Sequence, residues 1–168
     1  MTKLPTIDRL NEVFFITETA TSRTLHWRTT GKGKASAGVE AGTPHNKGYR
    51  SVCIDRRWLL THRILFAMDK GYWPKNQIDH INGDKLDNRS NNLREVTNAQ
   101  NHMNSPLQKN NVSGIKGVGW CNRLEKWRVQ LKLSGKVKHL GYYEDLELAA
   151  LVRARAEEIY FGEYRRQS

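Results

Sequence analysis

One stretch of the chain concentrates residue types that can do hydrolytic chemistry. A carboxylate and an imidazole stand side by side at Asp79 and His80, and Asn92 and Asn101 follow at spacings of 12 and 9 residues. A histidine with an ordinary pKa of about 6.5 is largely neutral at working pH and can take a proton from water. Oxygen ligands suit a hard cation such as Mg²⁺, which needs only one or two of them from the protein.

The elements that must position these residues are predicted to be a strand, a loop, a second strand and a helix. Residues 78–80 form the first strand, residues 82–91 are rich in turn-forming Asn, Gly and Asp, and residues 93–96 form the returning strand. A capping box that starts at Thr97 predicts a helix to about Ser105. An Asp-His pair alone would be nonspecific, but its place in this arrangement is informative.

The constellation of Asp-His, Asn-Leu-Arg and Asn resembles the HNH endonuclease family, in the variant where Asn replaces the last His. The resemblance implies the ββα-metal fold for about residues 77–105. It also implies that His80 is the general base and that Asp79 and Asn101 hold one divalent cation, with Mg²⁺ favoured and Mn²⁺ as the alternative. Asn92 would brace the loop and help to orient the imidazole.

Alternatives stay open at several positions of this stretch. His80 and Asp79 could instead be a satisfied histidine and a capping or ion-pairing carboxylate. His102 and Asn104 are close enough in sequence to take the role of Asn101. The remaining loop acids are more typical of turn formers than of ligands, and they are Asp84 and Asp87.

Charge indicates the kind of partner. The 168 residues include 28 Lys and Arg against 17 Asp and Glu, which gives a formal net charge of +11. A balance this basic favours a polyanion, and double-stranded DNA is the expected partner. The 38% hydrophobic content allows a modest core. No small-molecule cofactor is expected, and the oligomeric state is open.

The chain has no stretch that resembles a signal peptide, and no run approaches the roughly 20 apolar residues of a membrane span. Its two cysteines, Cys53 and Cys121, form no C-x-x-C pair, so a zinc knuckle is not expected. We therefore expect no membrane partner and a cytoplasmic location, which is the host cytoplasm if a phage encodes the protein.

Before the central stretch, the sequence predicts several strands and one helix. Residues 29–48 are a loop or mobile arm whose lysines, Lys32, Lys34 and Lys47, could follow phosphates or be a solvated linker. The helix starts near Thr61 and ends at Gly71. The other predicted elements are strands at residues 13–16, 24–28, 49–54 and 58–60. Residues 49–70 resemble the hairpin and helix that precede the metal motif in phage HNH enzymes. In this helix His62 is interpreted as structural, and Arg63 is a candidate phosphate contact.

The polar residues Lys109, Asn110 and Asn111 form a hinge. The pattern of the sequence changes after them, and a second module is predicted there. Three strands, at residues 114–120, 127–133 and 137–140, precede a helix over residues 146–161. Apolar residues spaced by 3, 4 and 3 predict its buried stripe, which consists of Ala149, Val152, Ala156 and Ile159. The fold class is α+β: a strand-rich N-terminal region with the ββα-metal motif, then a three-stranded antiparallel sheet packed on one C-terminal helix. The predicted limits are residues 1–105 for the nuclease domain, 106–111 for a linker and 112–168 for the second domain.

The second module resembles the APETALA or ethylene-response-factor type of DNA-binding domain. Its markers are Ser113-Gly-Ile-Lys-Gly-Val-Gly-Trp120, Lys126-Trp127-Arg128, Leu140-Gly141 and the Ala-rich helix. The resemblance implies that the sheet docks in the major groove. The DNA-binding residues that it implies are Arg128, Gln130 and Lys132 on the central strand, followed by Lys116, Arg123 and His139. In the nuclease module, Arg94 joins Arg63 as a candidate phosphate contact. The plant family has more arginines on its first strand, where Gly119 and Cys121 stand here, so no shared base preference is implied.

Together these features predict a site-specific, metal-dependent DNA endonuclease of the homing type, encoded by a phage or mobile element. The alternative is a catalytically inactive, sequence-specific DNA-binding regulator that keeps the nuclease fold. An RNA-directed role is the third reading, but RNA modules usually expose aromatic residues for stacking, and most aromatics here are predicted to lie in the core.

Overall fold

The computed structural model describes residues 4–31 and 35–165. Helices and antiparallel strands are mixed along the chain, which confirms the α+β class. The chain divides between Glu95 and Val96 into two compact units. The segment 106–111 lies within the second unit, and the domain limits given above stay predictions.

Over its described residues, the first unit contains two α-helices, a short 3-10 helix (Ser90–Asn92) and seven strands, the last of which ends in the second unit. Its helices are α1 (Ile7–Val13) and α2 (Thr61–Lys70). Its strands are β1 (Phe14–Glu18), β2 (Arg23–Trp27), β3 (Thr43–Pro44), β4 (Arg50–Ile54), β5 (Arg57–Leu60), β6 (Gln77–His80) and β7 (Leu93–Val96), whose last residue is the first of the second unit. β1 pairs with β2, β4 lies between β3 and β5, and β6 pairs with β7.

The core of the first unit forms where α1 and α2 meet the strands. Leu10 on α1, Phe14 on β1, Leu25 on β2 and Ile64 and Leu65 on α2 are all fully buried. Helix α2 was predicted from its helical spacing, and it ends at Gly71 as expected, with φ of 76°. Helix α1 was not predicted, because the apolar run that follows it dominated the pattern.

One further segment of the first unit differs from the sequence prediction. Residues 29–48 were expected to be a loop or mobile arm, yet they contain β3 and a bridge between His26 and Glu40, and Ala41 is fully buried. The predicted phosphate-following lysines Lys32 and Lys34 lie outside the described residues.

The second unit contains a three-stranded antiparallel sheet packed on one helix. Its strands are β8 (Val118–Cys121), β9 (Lys126–Leu133) and β10 (Lys136–Tyr143), in the order β10-β9-β8, and its helices are α3 (Asn98–Met103) and α4 (Leu146–Phe161). Val118, Val129 and Ala149 form the core between sheet and helix. The predicted sheet and C-terminal helix are therefore confirmed, although β8 begins later and β10 ends later than expected.

The buried face of α4 is only partly the predicted stripe. Ala149 and Ala156 are buried as expected, but Ile159 is 62% exposed, so its assignment to that face was wrong. Arg153 is buried instead, because its Nε donates to the carbonyl of Lys116 and its guanidinium pairs with Glu157 at 2.7 Å. A charged residue can be buried when it is paired and hydrogen-bonded in this way, and a hydrophobic pattern cannot reveal it.

Among the described residues, no helix combines the length and apolar character needed to cross a membrane. Cys53 and Cys121 are both free thiols.

The burial of Leu131 on β9 predicts how much its truncation should destabilise the second unit. Leu131 is 1% exposed, whereas Val137 on the neighbouring strand is 62% exposed. Leu131→Ala should lower the free energy of unfolding by roughly 2–5 kcal/mol, because it removes buried methyl groups and leaves a cavity. The control Val137→Ala should change it by at most about 0.5 kcal/mol. Urea unfolding of the full chain measures both, and equal losses would contradict this packing.

Candidate active site

Asp79 and His80 end strand β6, and both side chains are buried, with exposures of 8% and 3%. Adjacent residues on a strand point to opposite sides, so Asp79 and His80 can face one phosphate only if the strand bends or ends there. The strand ends at His80, where the amide of Gly83 donates to the His80 carbonyl at 2.9 Å in a turn. The β6–β7 pair is held to α2 by an apolar cluster, which consists of Phe66, Ile78 and Leu93.

Asn92 closes the loop between β6 and β7. Its Nδ2 donates to Asn82 Oδ1 at 3.0 Å and to the carbonyl of Asp87 at 2.7 Å, and its Oδ1 accepts from the amide of Asn82 at 3.0 Å. Asn92 thus joins the start of the loop to its far side. A part in orienting His80, which the resemblance also implies for Asn92, stays a prediction.

The imidazole of His80 contacts a different asparagine. Nε2 of His80 lies 3.1 Å from Oδ1 of Asn88, and both residues are buried. Burial lowers the pKa of His80, although the hydrogen bond to Asn88 and the charges of nearby aspartates oppose this effect. A lowered pKa keeps the ring neutral, as a general base requires. Sequence reasoning missed Asn88, because nothing distinguishes it from the turn-forming residues around it.

Two aromatic residues from other elements lie against His80. The ring of His62, on α2, is edge-on to the ring of His80 with 5.2 Å between centroids. Tyr49 lies 4.9 Å from His62 and 6.0 Å from His80. Burial, the neighbouring His80 and Arg63 together lower the pKa of His62 to about 3. His62 is buried, which agrees with its interpretation as structural, but its contact with His80 was not predicted.

Arg94 and Arg63, both predicted to contact phosphates, make contacts within the first unit. The Arg94 guanidinium donates through Nε and Nη2 to Asp79 Oδ2, at 3.0 and 2.9 Å. Arg63 donates to the carbonyls of Pro74 and Asn76 at 2.9 and 2.8 Å, and so fixes the segment that enters β6. A phosphate contact by either residue stays a prediction.

The loop acids behave as turn formers. Asp84 Oδ1 accepts the amide of Leu86, and Asp87 pairs with Arg89 at 2.7 Å. The hydrogen bond from Arg89 is the main reason that the pKa of Asp87 falls to about 2. Arg89 also donates to the carbonyl of Ala20, which attaches the loop to the rest of the unit.

The carboxylate of Asp79 is a donor of the type that a hard cation such as Mg²⁺ prefers. Over residues 4–31 and 35–165, no group of three or more His, Cys, Asp or Glu side chains could hold a metal ion. Structural zinc needs such a group, but Mg²⁺ needs only one or two protein oxygens and keeps its waters. The Asp79 carboxylate is paired with Arg94 through Oδ2, and its role as a metal ligand stays a prediction.

Asn101 lies on α3, in the second unit. The N-cap of the helix is Thr97, whose hydroxyl accepts from the Gln100 amide while the Gln100 side chain accepts from the Thr97 amide, as the capping box predicted. At the other end, the ammonium of Lys116 donates to the carbonyls of His102, Met103 and Ser105. Lys116, predicted to bind DNA, therefore caps α3, and the choice among Asn101, His102 and Asn104 stays open.

One face of the second unit's sheet carries the predicted DNA-binding side chains of β9. Arg128 and Lys132 are exposed and Gln130 is half-buried, on the face away from the buried Val129 and Leu131. Arg128 is paired with Tyr142 on β10, Gln130 with His139, and Lys132 with Val137. The rings of His139 and Tyr142 lie 4.6 Å apart. Tyr142 was not predicted on this face, because the predicted strand ended at Leu140, whereas β10 continues to Tyr143 with a register irregularity between His139 and Gly141.

A family model of the HNH endonucleases matches residues 59–103, which include Asp79, His80, Asn92 and Asn101. The chain is also 33% identical over 97 residues to Protein 3.8 of Escherichia phage T7, a match that covers 58% of this chain and 76% of that protein. The chain belongs to the HNH endonuclease family. No solved structure matches it.

The HNH match begins before β6 and includes α2, so His62, Arg63 and the apolar residues that hold the β6–β7 pair all lie inside the segment that defines the family. The match ends at Met103, before the three-stranded sheet. The resemblance of that sheet to a plant DNA-binding domain therefore stays a prediction.

His62 should make stability depend on pH in the acid range. Its pKa is about 3 when folded and about 6.5 in an unfolded chain. Between these values the unfolded state binds a proton that the folded state does not, so stability falls as pH is lowered from about 6.5 towards 3, by up to about 1.4 kcal/mol per pH unit. His62→Phe should flatten this part of the curve. Urea unfolding at a series of pH values measures it, and parallel curves for both proteins would contradict a neutral, buried His62.

Proposed function

We propose that this HNH protein is a metal-dependent, site-specific DNA endonuclease of the homing type, with one active site per chain. The observation that carries the proposal is the pair Asp79 and His80, buried together at the end of β6 within the family segment. The imidazole is held by a buried hydrogen bond and its pKa is lowered. These are the properties of a positioned general base.

In the proposed reaction, His80 takes a proton from a water molecule that attacks phosphorus, in line with the bond to the leaving 3′ oxygen. General-base catalysis of this kind contributes roughly 10²- to 10⁴-fold to the rate. Asp79 and, by family resemblance, Asn101 would hold one divalent cation, with Mg²⁺ favoured over Mn²⁺. When bound, such an ion supplies charge stabilisation to the phosphoryl and leaving oxygens.

The remaining residues of the first unit support this chemistry by holding groups in place. Asn92 closes the loop that follows His80, and Arg89 attaches the loop to the chain near Ala20. Arg63 fixes the entry to β6. Precise placement is an efficient source of catalysis, since misplacement of a reacting group by about 1 Å can cost about 10²-fold.

The second unit is proposed to read DNA. The exposed face of β9 presents Arg128, Gln130 and Lys132 in alternation, and the turn before it carries the exposed Arg123. Arg pairs well with guanine and Gln with adenine in the major groove. His139 lies across from Gln130. A tethered second reader would raise the effective concentration of the nuclease at its site and lengthen the recognised sequence.

The similarity to a phage T7 protein supports a phage origin. The host cytoplasm as the place of action follows from that origin and stays a prediction. The net charge of +11 supports association with DNA, whose phosphates dominate affinity.

Removing the general base should abolish cleavage. With plasmid DNA and Mg²⁺, His80→Ala should slow nicking or cutting by at least roughly 100-fold, while a gel-shift assay shows DNA binding retained. The control His26→Ala removes a histidine of β2 and should keep activity. Chelation of the metal should stop the wild-type reaction. No metal-dependent cleavage by the wild type would leave the inactive DNA-binding regulator as the function.

The exposed side chains of β9 should determine the affinity for DNA and the choice of cleavage site. Arg128→Ala should weaken binding to the cleaved sequence by roughly 5- to 150-fold, and Lys132→Ala should lower the salt slope of binding by about one. The control Arg155→Ala changes an exposed arginine of α4 that pairs with Glu158. Fluorescence anisotropy at several salt concentrations measures all three. If Arg128→Ala and Arg155→Ala changed DNA affinity by the same factor, the sheet face would not be the surface that recognises DNA.

A further inference from the structure

Asn88 is placed to decide which nitrogen of His80 carries the proton. Its Oδ1 lies 3.1 Å from Nε2 of His80, and the two residues are 5% and 3% exposed. In a neutral imidazole one ring nitrogen is a donor and the other an acceptor. A carbonyl oxygen can only accept a hydrogen bond, so the partner nitrogen must be the donor.

We propose that Asn88 is a positioning residue that holds His80 as the Nε2–H tautomer, so that Nδ1 is the atom that takes the proton from water. The proposal rests on the nuclease function given above and names the reacting atom of its base. The proton passes from water to Nδ1, the water oxygen bonds to phosphorus, and the bond from phosphorus to the 3′ oxygen breaks. The 3′ oxygen leaves with the electron pair of that bond and takes a proton from solvent to become a hydroxyl, and the imidazolium later returns its proton to solvent.

The surroundings keep Asn88 in place. On one side of Asn88, the Asp87 carbonyl accepts from Asn92 Nδ2 at 2.7 Å. On the other side, Arg89 pairs with Asp87 and donates to the carbonyl of Ala20. The backbone on both sides of Asn88 is therefore fixed, and a short, buried side chain between two fixed residues has little freedom to leave His80.

The rings beside His80 limit its rotation. His62 lies edge-on at 5.2 Å and Tyr49 at 6.0 Å between centroids. A flip of the imidazole would exchange the two nitrogens and remove the hydrogen bond to Asn88. With packing on the ring and a hydrogen bond at Nε2, both the orientation and the tautomer are specified, as a general base requires.

The test reads the tautomer directly, in the full-length protein without metal or DNA. Long-range ¹H–¹⁵N NMR of the ¹⁵N-labelled chain distinguishes protonated from unprotonated ring nitrogens, and a His80→Gln variant identifies the His80 signals. We expect the wild type to show Nε2 protonated and Nδ1 unprotonated. Asn88→Leu should give signals of mixed tautomers, and Asn88→Asp, which keeps an accepting oxygen, should restore the Nε2–H form.

Cleavage kinetics then connect the tautomer to the reaction. Asn88→Leu should lower kcat by roughly 10- to 100-fold, the usual cost of losing such a supporting contact, with KM little changed. Asn88→Asp should recover much of that loss. The control Asn91→Leu changes an exposed asparagine of the same loop and should alter neither kcat nor the His80 signals.

Two results would overturn the proposal. One is a wild-type His80 protonated on Nδ1, which would mean that the Asn88 amide nitrogen faces the ring. The other is an Asn88→Leu protein that keeps the Nε2–H signals. Neither result depends on nuclease activity, so failure of the tautomer assignment and failure of the nuclease function are separate outcomes.

Discussion

Two ionisable side chains, Asp79 and His80, are buried next to each other at the end of β6. The arrangement of the β6–β7 hairpin depends on the partners that these two groups need. Burying a polar or charged group costs free energy unless a partner compensates it. Asp79 has Arg94, and His80 has Asn88. The two partners come from different places, one from β7 and the other from the loop between the strands. The hairpin is therefore needed to bring compensation to both groups at once.

The same constraint explains the composition of the loop. A loop that must leave a strand abruptly, supply a buried acceptor and return to the paired strand needs short polar side chains that bond to nearby backbone. Asp84 and Asp87 form the turns, Asn92 closes the loop, and Asn88 faces the imidazole. Asp87 and Arg89 pair with each other inside the loop, and therefore they do not compete with the pair of Asp79 and Arg94.

Much of the fold could be predicted from the sequence, because local rules decide it. The capping box of Thr97, the stop at Gly71 and the alternation in β9 each need only neighbouring residues, and each occurs where it was expected. Contacts between distant residues could not be predicted in this way. The approach of His62 to His80 depends on how α2 packs, and the exposure of Ile159 depends on the burial of Arg153.

The lysine that caps α3 also has a consequence for how the second unit can change over time. Lys116 binds three carbonyls at the end of α3, and its own carbonyl accepts from the buried Arg153 of α4. A side chain added at Gly117 would meet the Gln130 carbonyl and the Arg153 guanidinium. Residues 116, 117 and 153 therefore hold one another in place, and the backbone of Gln130 on β9 joins them through its amide, which donates to the Gly117 carbonyl at 2.9 Å. Substitutions of the exposed side chains Arg128 and Lys132 can therefore accumulate over time while the helix that carries Asn101 keeps its contacts with Lys116.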